Sequence, residues 1–206
     1  MKETPWWHKI IWLVGMIIFK SVFQLKIEGG EKIPSKGGVV VVGNHRSYLD
    51  PIIMTFTTCR KMNFMAKDDL FRNAIFGYFI TKMGAFPLRR DKLDRKAYQK
   101  ALRILREGKI LGLFPEGTRS ISAKLGDLKK GSVRIALSAN VPVVPVVIQG
   151  TDKILPIGAK MIRWGKIRLK VGDPIVIQNY RNKKEEKVDY VLQKLKEEMV
   201  AMGANE

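Results

Sequence analysis

A run of four valines followed by a glycine, Val39–Gly43, constrains the fold of this chain more than any other feature. Valine is branched at Cβ, and an unbroken apolar run of this length is typical of a strand that is buried on both faces. Two further short apolar runs, at residues 110–114 and 143–148, have the same character. A sheet with two buried faces needs helices on each side, so these runs predict an α/β layer structure.

Signals for helices separate these predicted strands. Asp50 and Pro51 predict a helix start, because aspartate is a favoured N-cap and proline suits the first helical position. Residues 94–107 form an amphipathic pattern, with Asp94 placed to cap its start and Gly108 its end. Further helices are predicted at residues 70–83, 131–139 and 183–202, and a hairpin at residues 160–171. The alternation predicts a single domain with a mixed, mostly buried β-sheet flanked by helices.

An apolar run at residues 10–19, bounded by Lys9 and Lys20, distinguishes the N-terminal segment. As a helix, a run of this length extends about 15 Å, whereas the hydrocarbon core of a bilayer is about 30 Å thick. Tryptophan favours the headgroup boundary, and three tryptophans lie in or beside this run: Trp6, Trp7 and Trp12. We therefore expect a helix, or a bent pair of helices, that dips into one leaflet. A tilted span and a helix packed on the soluble core are the alternatives.

Residues 1–28 are accordingly expected to form a membrane-associating helical segment, and residues 29–206 one folded domain. The net charge of +19 predicts attraction to polyanions, either an anionic membrane surface or nucleic acid. Because the basic residues are dispersed and no groove-reading or base-stacking motif is present, we expect a membrane surface and no nucleic acid. The single cysteine, Cys59, excludes an intrachain disulfide.

The segment NHRSYLD, which directly follows the valine strand, holds the first group suited to catalysis. The imidazole of His45 can accept a proton near neutral pH. The carboxylate of Asp50 can fix its tautomer and stabilise the cation that forms. No GxSxG nucleophile elbow is present, so the pair favours direct attack by a hydroxyl group of the substrate. The alternative is a histidine that only stabilises a loop.

The segment FPEGTRS, residues 114–120, follows the second apolar run and is suited to binding a phosphate. Gly117 permits close approach of the main chain, Thr118 can donate a hydrogen bond, and Arg119 can bind a phosphate through two parallel bonds. Glu116 is suited to binding a hydroxyl or positioning an arginine. The alternative is an ordinary turn with solvated charges.

In this order, the motifs resemble the glycerolipid acyltransferase family, and specifically its bacterial 1-acyl-glycerol-3-phosphate acyltransferases. NHRSYLD fits the family's NHxxxxD block, and FPEGTRS fits its third block completely. Gly84 and Arg90 fit the glycine-to-arginine spacing of the second block, although Arg89 stands where the family has an acidic residue. The apolar segment centred on Pro145 resembles the fourth block.

The resemblance implies transfer of a fatty acyl group from coenzyme A or acyl carrier protein to the 2-hydroxyl of lysophosphatidic acid, giving phosphatidic acid. It implies that His45 is the general base and that Asp50 orients it. The residues that it implies for the acceptor's glycerol phosphate are Arg90, Glu116, Gly117, Thr118 and Arg119, with Pro145 shaping the acyl site. It implies no metal and no cofactor beyond the acyl donor.

The expected location is the cytoplasmic face of the inner membrane, where a soluble donor meets a lipid acceptor. Two alternatives stay open. One is the same chemistry on glycerol-3-phosphate or another lysolipid. The other is a basic membrane-binding module without catalysis.

Overall fold

A computed structural model describes residues 4–89, 94–120, 125–159, 161–177 and 184–204. Within these residues, the strands are β1 (Lys26–Glu28), β2 (Val39–Gly43), β3 (Met62–Lys67), β4 (Ala85–Leu88), β5 (Ile110–Leu113), β6 (Val143–Gln149) and β7 (Arg168–Val171). The α-helices are α1 (Trp6–Phe23), α2 (Asp50–Met54), α3 (Ala74–Lys82), α4 (Arg95–Arg106), α5 (Gly131–Ala139), α6 (Thr151–Ile154) and α7 (Lys184–Ala201). Short 3₁₀ helices lie at Gly30–Lys32, Thr55–Thr57 and Asp68–Phe71.

The strands form one sheet in the order β1-β7-β6-β2-β5-β3-β4. Its neighbouring strands are parallel, except that β6 and β7 are antiparallel. Parallel strands need helical crossovers, and these crossovers cover both faces. The predicted α/β domain with a mixed sheet flanked by helices is therefore confirmed.

The valines of β2 show why the central strand is apolar throughout. All four of them are fully buried. Val40 and Val42 pack into a core with α4, α5 and α7. Val39 and Val41 point to the opposite face, into a core that includes residues of α1, α2 and α6. Since successive side chains of a strand alternate between faces, only an unbroken apolar run serves both cores.

Most predicted helices form close to the predicted positions. At α4, Asp94 caps the helix as expected, because its Oδ1 accepts a hydrogen bond from the Ala97 amide at 3.0 Å. The predicted N-cap at Asp50 is wrong. Helix α2 begins at this residue itself, and its carboxylate accepts hydrogen bonds from the preceding amides of Arg46 and Ser47.

The predicted hairpin at residues 160–171 is also wrong. Residue 160 lies outside the described residues, and residues 161–171 do not pair with one another. Strand β7 instead pairs with β6 on one side and with β1 on the other. Its apolar residues Leu169 and Val171 are buried against the sheet. The long-range pairings place these two side chains in a hydrophobic core, whereas Trp164 is 83% exposed.

Helix α1 packs along one side and is exposed along the other. Trp12 Nε1 donates to the Thr55 carbonyl at 3.1 Å, and Gly15 lies so close to Phe56 that a Cβ there would be 2.8 Å from its ring. The exposed large apolar side chains of α1 are Trp6, Ile10, Ile11, Leu13, Val14, Ile17, Ile18 and Val22. By length and composition α1 could cross a membrane, and 17% of it is buried inside the protein. The helix thus packs on the domain along one side and has an exposed apolar side opposite.

Candidate active site

Three neighbouring strands bring the candidate residues together. Strand β2 lies between β5 and β6 and is parallel to both, so all three end at the same edge of the sheet. His45 follows β2, the FPEGTRS segment follows β5, and Thr151 follows β6. Ligand sites of α/β sheets form at such carboxyl edges.

The two residues of the first motif form a hydrogen-bonded pair. His45 Nδ1 lies 2.9 Å from Asp50 Oδ2, and the side chains are 15% and 1% exposed. An ionised carboxylate only accepts hydrogen bonds, so Nδ1 must carry the proton and Nε2 is left with a free lone pair. The imidazole also stacks on Phe114, with ring centroids 4.3 Å apart. The ring is therefore fixed on one side by a charge and on its face by an aromatic residue.

The carboxylate of Asp50 is held by more than the histidine. Its Oδ2 accepts main-chain hydrogen bonds from Arg46 at 2.6 Å and from Ser47 at 2.7 Å. Its Oδ1 accepts a hydrogen bond from Thr151 Oγ1 at 2.6 Å. Four donors thus fix both oxygens of a carboxylate that is shielded from water. Such bonding fixes the carboxylate in position beside the imidazole, as in a histidine that is oriented by a carboxylate.

Sequence reasoning missed Thr151, because it belongs to none of the motifs. The available signal was its place just after the apolar run that becomes β6. A polar residue at the carboxyl end of a strand next to β2 is a candidate for the same site.

Glu116 contacts the main chain of the site. Its Oε1 accepts a hydrogen bond from the His45 amide at 2.8 Å, and its Oε2 accepts one from Gly126 at 3.2 Å. The Ser120 amide in turn donates to the His45 carbonyl at 2.8 Å. Glu116 is 8% exposed. The second motif therefore holds the histidine's backbone from both sides, and both oxygens of Glu116 are engaged in this contact.

Arg119 is the residue of the second motif whose side chain is best placed to bind an anionic ligand. Its guanidinium lies flat on the ring of Tyr48, 3.5 Å from the centroid. Its Nη1 is buried and has no hydrogen-bond partner among the described residues. A buried charged donor without an acceptor is costly, so this nitrogen is suited to an anionic group of a bound molecule.

A cavity of about 280 Å³ lies beside the second motif. The polar residues that line it are Glu116, Thr118, Ser120, Asp127 and Lys129. Gly117 lies beside it with a positive φ of 73°, and a Cβ there would be 2.8 Å from Lys129 Nζ. Glycine thus lets the lysine ammonium approach the main chain of the motif.

The two remaining predicted site residues are Arg90 and Pro145. Arg90 falls outside the described residues, and its neighbour Arg89 donates its amide to Asp94 Oδ2 at 3.0 Å. Pro145 is buried within β6, in register with Val42, so it lies in the sheet beneath the site. Within the described ranges, no group of three or more histidine, cysteine or acidic side chains is placed to hold a metal ion.

Comparisons with known proteins show which family this chain is similar to. A family model described as Acyltransferase matches residues 24–149. The 1-acyl-sn-glycerol-3-phosphate acyltransferase of Bacillus subtilis is 32% identical over 152 residues, which are 73% of this chain and 73% of that protein. A chloroplastic 1-acyl-sn-glycerol-3-phosphate acyltransferase of Arabidopsis thaliana is 33% identical over 172 residues, covering 82% of this chain and 48% of the relative. The chain therefore spans about half the length of the plant relative.

A solved structure is similar over nearly the whole chain. It is the crystal structure of the 1-acyl-sn-glycerophosphate acyltransferase PlsC from Thermotoga maritima, with a TM-score of 0.78 and 31% sequence identity. The match covers 95% of this chain and 79% of that one.

Proposed function

The chain belongs to the acyltransferase family, and we propose that it transfers a fatty acyl group from acyl-CoA or acyl carrier protein to the sn-2 hydroxyl of lysophosphatidic acid. The observation that carries this proposal is the His45–Asp50 pair, 2.9 Å apart at the carboxyl edge of the sheet. Arg119, whose buried Nη1 has no hydrogen-bond partner in the described part of the chain, supplies a cation for the acceptor's phosphate. The names of the bacterial and plant relatives support the same reaction.

In this mechanism His45 Nε2 takes the proton of the acceptor hydroxyl as its oxygen attacks the thioester carbonyl. The tetrahedral intermediate collapses, the carbon–sulfur bond breaks, and the thiolate leaves with the proton from the imidazolium. Asp50 stabilises the imidazolium between these two steps. Because a thioester is already activated, the reaction needs no metal, no covalent enzyme intermediate and no cofactor beyond the donor.

The acceptor's phosphate is proposed to lie at Arg119, within reach of Thr118 and the main chain at Gly117. A guanidinium binds phosphate through two parallel charge-assisted bonds. The stacked ring of Tyr48 limits the motion of the guanidinium plane. Arg90 is proposed as a second cation on the strength of the family resemblance. Pro145 is proposed to act on the acyl site only through the packing of β6.

Glu116 is proposed to act indirectly on the acceptor. Both of its oxygens accept main-chain hydrogen bonds, one of them from His45 itself. Such a residue fixes the position of the base relative to Arg119, and so sets where the acceptor's hydroxyl must lie when its phosphate is bound.

The lipid acceptor is proposed to come from the membrane on which α1 rests. The helix exposes an apolar side, and the net charge of +19 attracts the protein to an anionic leaflet. Because both donors are water-soluble, the proposed location is the cytoplasmic face of the inner membrane.

A panel of acceptors and donors tests the proposal. Purified full-length protein is assayed with lysophosphatidic acid, glycerol-3-phosphate and lysophosphatidylcholine, each with acyl-CoA and with acyl carrier protein. We expect phosphatidic acid as the main product, with His45→Ala at least about 100-fold slower and unchanged in vesicle binding. Preference for glycerol-3-phosphate would move the assignment to that acceptor. Vesicle binding without any transfer would identify a non-catalytic membrane module.

A further inference from the structure

Large apolar side chains are exposed on α3 and on residues 161–164, two segments that adjoin opposite ends of α1. We propose that both segments are membrane-contact surfaces, so that the protein docks on an anionic bilayer through three elements. This inference rests on the proposed function, because a lipid acceptor has to reach His45 from the membrane.

Helix α3 packs against the domain through its smallest residue, and most of its large apolar side chains are exposed. Within this helix the buried residue is Gly77, and a Cβ there would lie 3.0 Å from the Phe71 carbonyl. Ile75, Tyr78 and Phe79 are 85%, 67% and 58% exposed. Tyr78 and Phe79 follow Ile75 by three and four residues, so both neighbour it on one stripe of the helix. A stripe of this kind marks a surface that meets lipid or another protein.

The charges around the stripe favour an anionic bilayer as its partner. The helix AIFGYFITK contains no acidic residue. Lys82, in its last turn, holds its Nζ 5.2 Å from the ring centroid of Tyr78. At the other end, Arg72 is paired with Asp69 at 2.9 Å. Aromatic residues beside lysine are typical of the lipid headgroup region, where the ring meets the apolar boundary and the amine meets phosphate.

The exposed side chains of residues 161–164 have the same character. Met161, Ile162 and Trp164 are 79%, 59% and 83% exposed. The Arg163 amide donates to the Ile154 carbonyl at 2.8 Å, which ties this segment to the end of α6. Arg163 is itself exposed, so a cation stands among the apolar residues here too.

Contacts at both ends of α1 connect the three surfaces. Lys61 donates from Nζ to the Lys82 carbonyl at 2.8 Å, and the same Nζ lies 5.2 Å from the ring of Trp7. The start of α1 therefore adjoins the end of α3. At the other end, the Ile167 amide donates to the Phe23 carbonyl at 3.1 Å. This bond places the end of α1 beside the segment that follows Trp164.

The topology places α1, α2 and α3 on the same side of the sheet. Residues of α1 and α2 share one core. The crossovers from β2 to β3 and from β3 to β4 run in the same direction across the sheet. Since such crossovers are right-handed, α2 and α3 cover the same face. The active-site loop after β2 leads directly into α2 on this face, which brings the site close to the proposed membrane surface.

Substitutions on the two segments test the proposal in the full-length protein. The variants are Ile75→Glu with Phe79→Glu on α3, and Trp164→Glu in the second segment. Val200→Glu is the matched control, because Val200 is 40% exposed on α7, which packs on the opposite core. Partition is measured by sedimentation with vesicles of phosphatidylglycerol and phosphatidylethanolamine. Acyl transfer is measured in parallel with a short-chain, water-soluble lysophosphatidic acid.

We expect the α3 double variant and Trp164→Glu each to lower the partition of the protein onto vesicles at least 10-fold. The partition of the Val200→Glu control should stay within twofold of the wild type. All variants should transfer acyl groups to the soluble acceptor at the wild-type rate. Phe79→Trp, which keeps the site apolar, should bind as the wild type does and separates lipid contact from misfolding. Partition that is unchanged in both glutamate variants would overturn the proposal. So would an α3 pair that converts a dimer to a monomer in light scattering while its partition is unchanged, because the stripe would then join two copies of the chain.

The two proposals fail separately. If neither the wild type nor any variant transfers acyl groups, the proposed function is wrong. The partition measurements still show whether α3 and residues 161–164 contact the membrane.

Discussion

The hydroxyl of Thr151 donates to Asp50 Oδ1 at 2.6 Å, while Oδ2 of the same carboxylate contacts His45 Nδ1 at 2.9 Å. Thr151 and Asp50 are almost completely buried. The carboxylate thus connects the start of α6 to the loop that follows β2. In the proposed mechanism Thr151 is a positioning residue, because it acts on the substrate only through Asp50 and His45.

Replacing Thr151 with valine should lower kcat and leave KM for both substrates nearly unchanged. Valine keeps the shape of threonine but removes the donor to a buried carboxylate. A hydrogen bond to a charged group contributes about 1.5–3 kcal/mol, so we expect kcat to fall about 10- to 100-fold. Thr151→Ser retains the hydroxyl and should recover most of the rate. Serine and valine variants with equal rates would show that the hydroxyl does not position the pair.

Glu116→Gln distinguishes support of the main chain from direct binding of the acceptor. An amide has one oxygen, so glutamine cannot accept from both the His45 and the Gly126 amides. We expect the free energy of unfolding to fall by about 1–3 kcal/mol, with a lower kcat. Chemical denaturation and steady-state kinetics measure the two effects. A variant of wild-type stability whose only defect is a raised KM for the acceptor would instead indicate direct binding, as the family resemblance implies.

Arg119→Ala should weaken binding of the acceptor and leave binding of the donor unchanged. The loss of a charge-assisted contact of about 1.5–3 kcal/mol raises KM for lysophosphatidic acid about 10- to 100-fold. Arg103→Ala is the matched control, since Arg103 is an exposed arginine on α4. Equal increases in KM for acceptor and donor would remove Arg119 from the phosphate site.

Asp94 makes the stability of α4 depend on pH. Hydrogen bonds from the amides of Ala97 and Arg89 lower the pKa of this carboxyl group. A lowered pKa in the folded state means that the stabilisation is complete above the unfolded value of about 3.9 and is lost as the pH falls through the folded value. Asp94→Asn keeps an acceptor at the N-cap without the charge.

The difference in unfolding free energy between wild type and Asp94→Asn should therefore be larger at pH 7 than at pH 3. Denaturant unfolding of both proteins at the two pH values measures it. A difference that does not change with pH would show that the charge of Asp94 contributes nothing to the helix.

The predictions from sequence were most accurate where local chemistry decides the structure. The valines of β2 and the Asp94 cap of α4 formed as predicted, because strand burial and helix capping depend on residues close together in the chain. The Asp50 cap failed because other groups occupy its carboxylate. They are His45 and the two preceding amides, which are close in the chain, and Thr151, which is far along it.

Short strands and long-range contacts were not predictable in this way. Strands β1 and β7 have three and four residues, and they are stabilised by pairing with partners far along the chain. The predicted hairpin at residues 160–171 failed because β7 pairs with β6 and β1 instead. The stack of Arg119 on Tyr48 likewise joins two motifs that the sequence shows only as separate segments.

The sequence by itself determined the α/β class, the buried central strand and the two motifs with His45 and Glu116. These features depend on the pattern of apolar residues and on the chemistry of residues that are close together in the chain. Only the tertiary structure decided that Thr151, 101 residues after Asp50, completes the carboxylate's hydrogen bonds. The physical reason is the packing of β2 between β5 and β6, which brings three strand ends to one edge. The order of strands in a sheet depends on the burial of the whole core, which no single segment of the chain specifies.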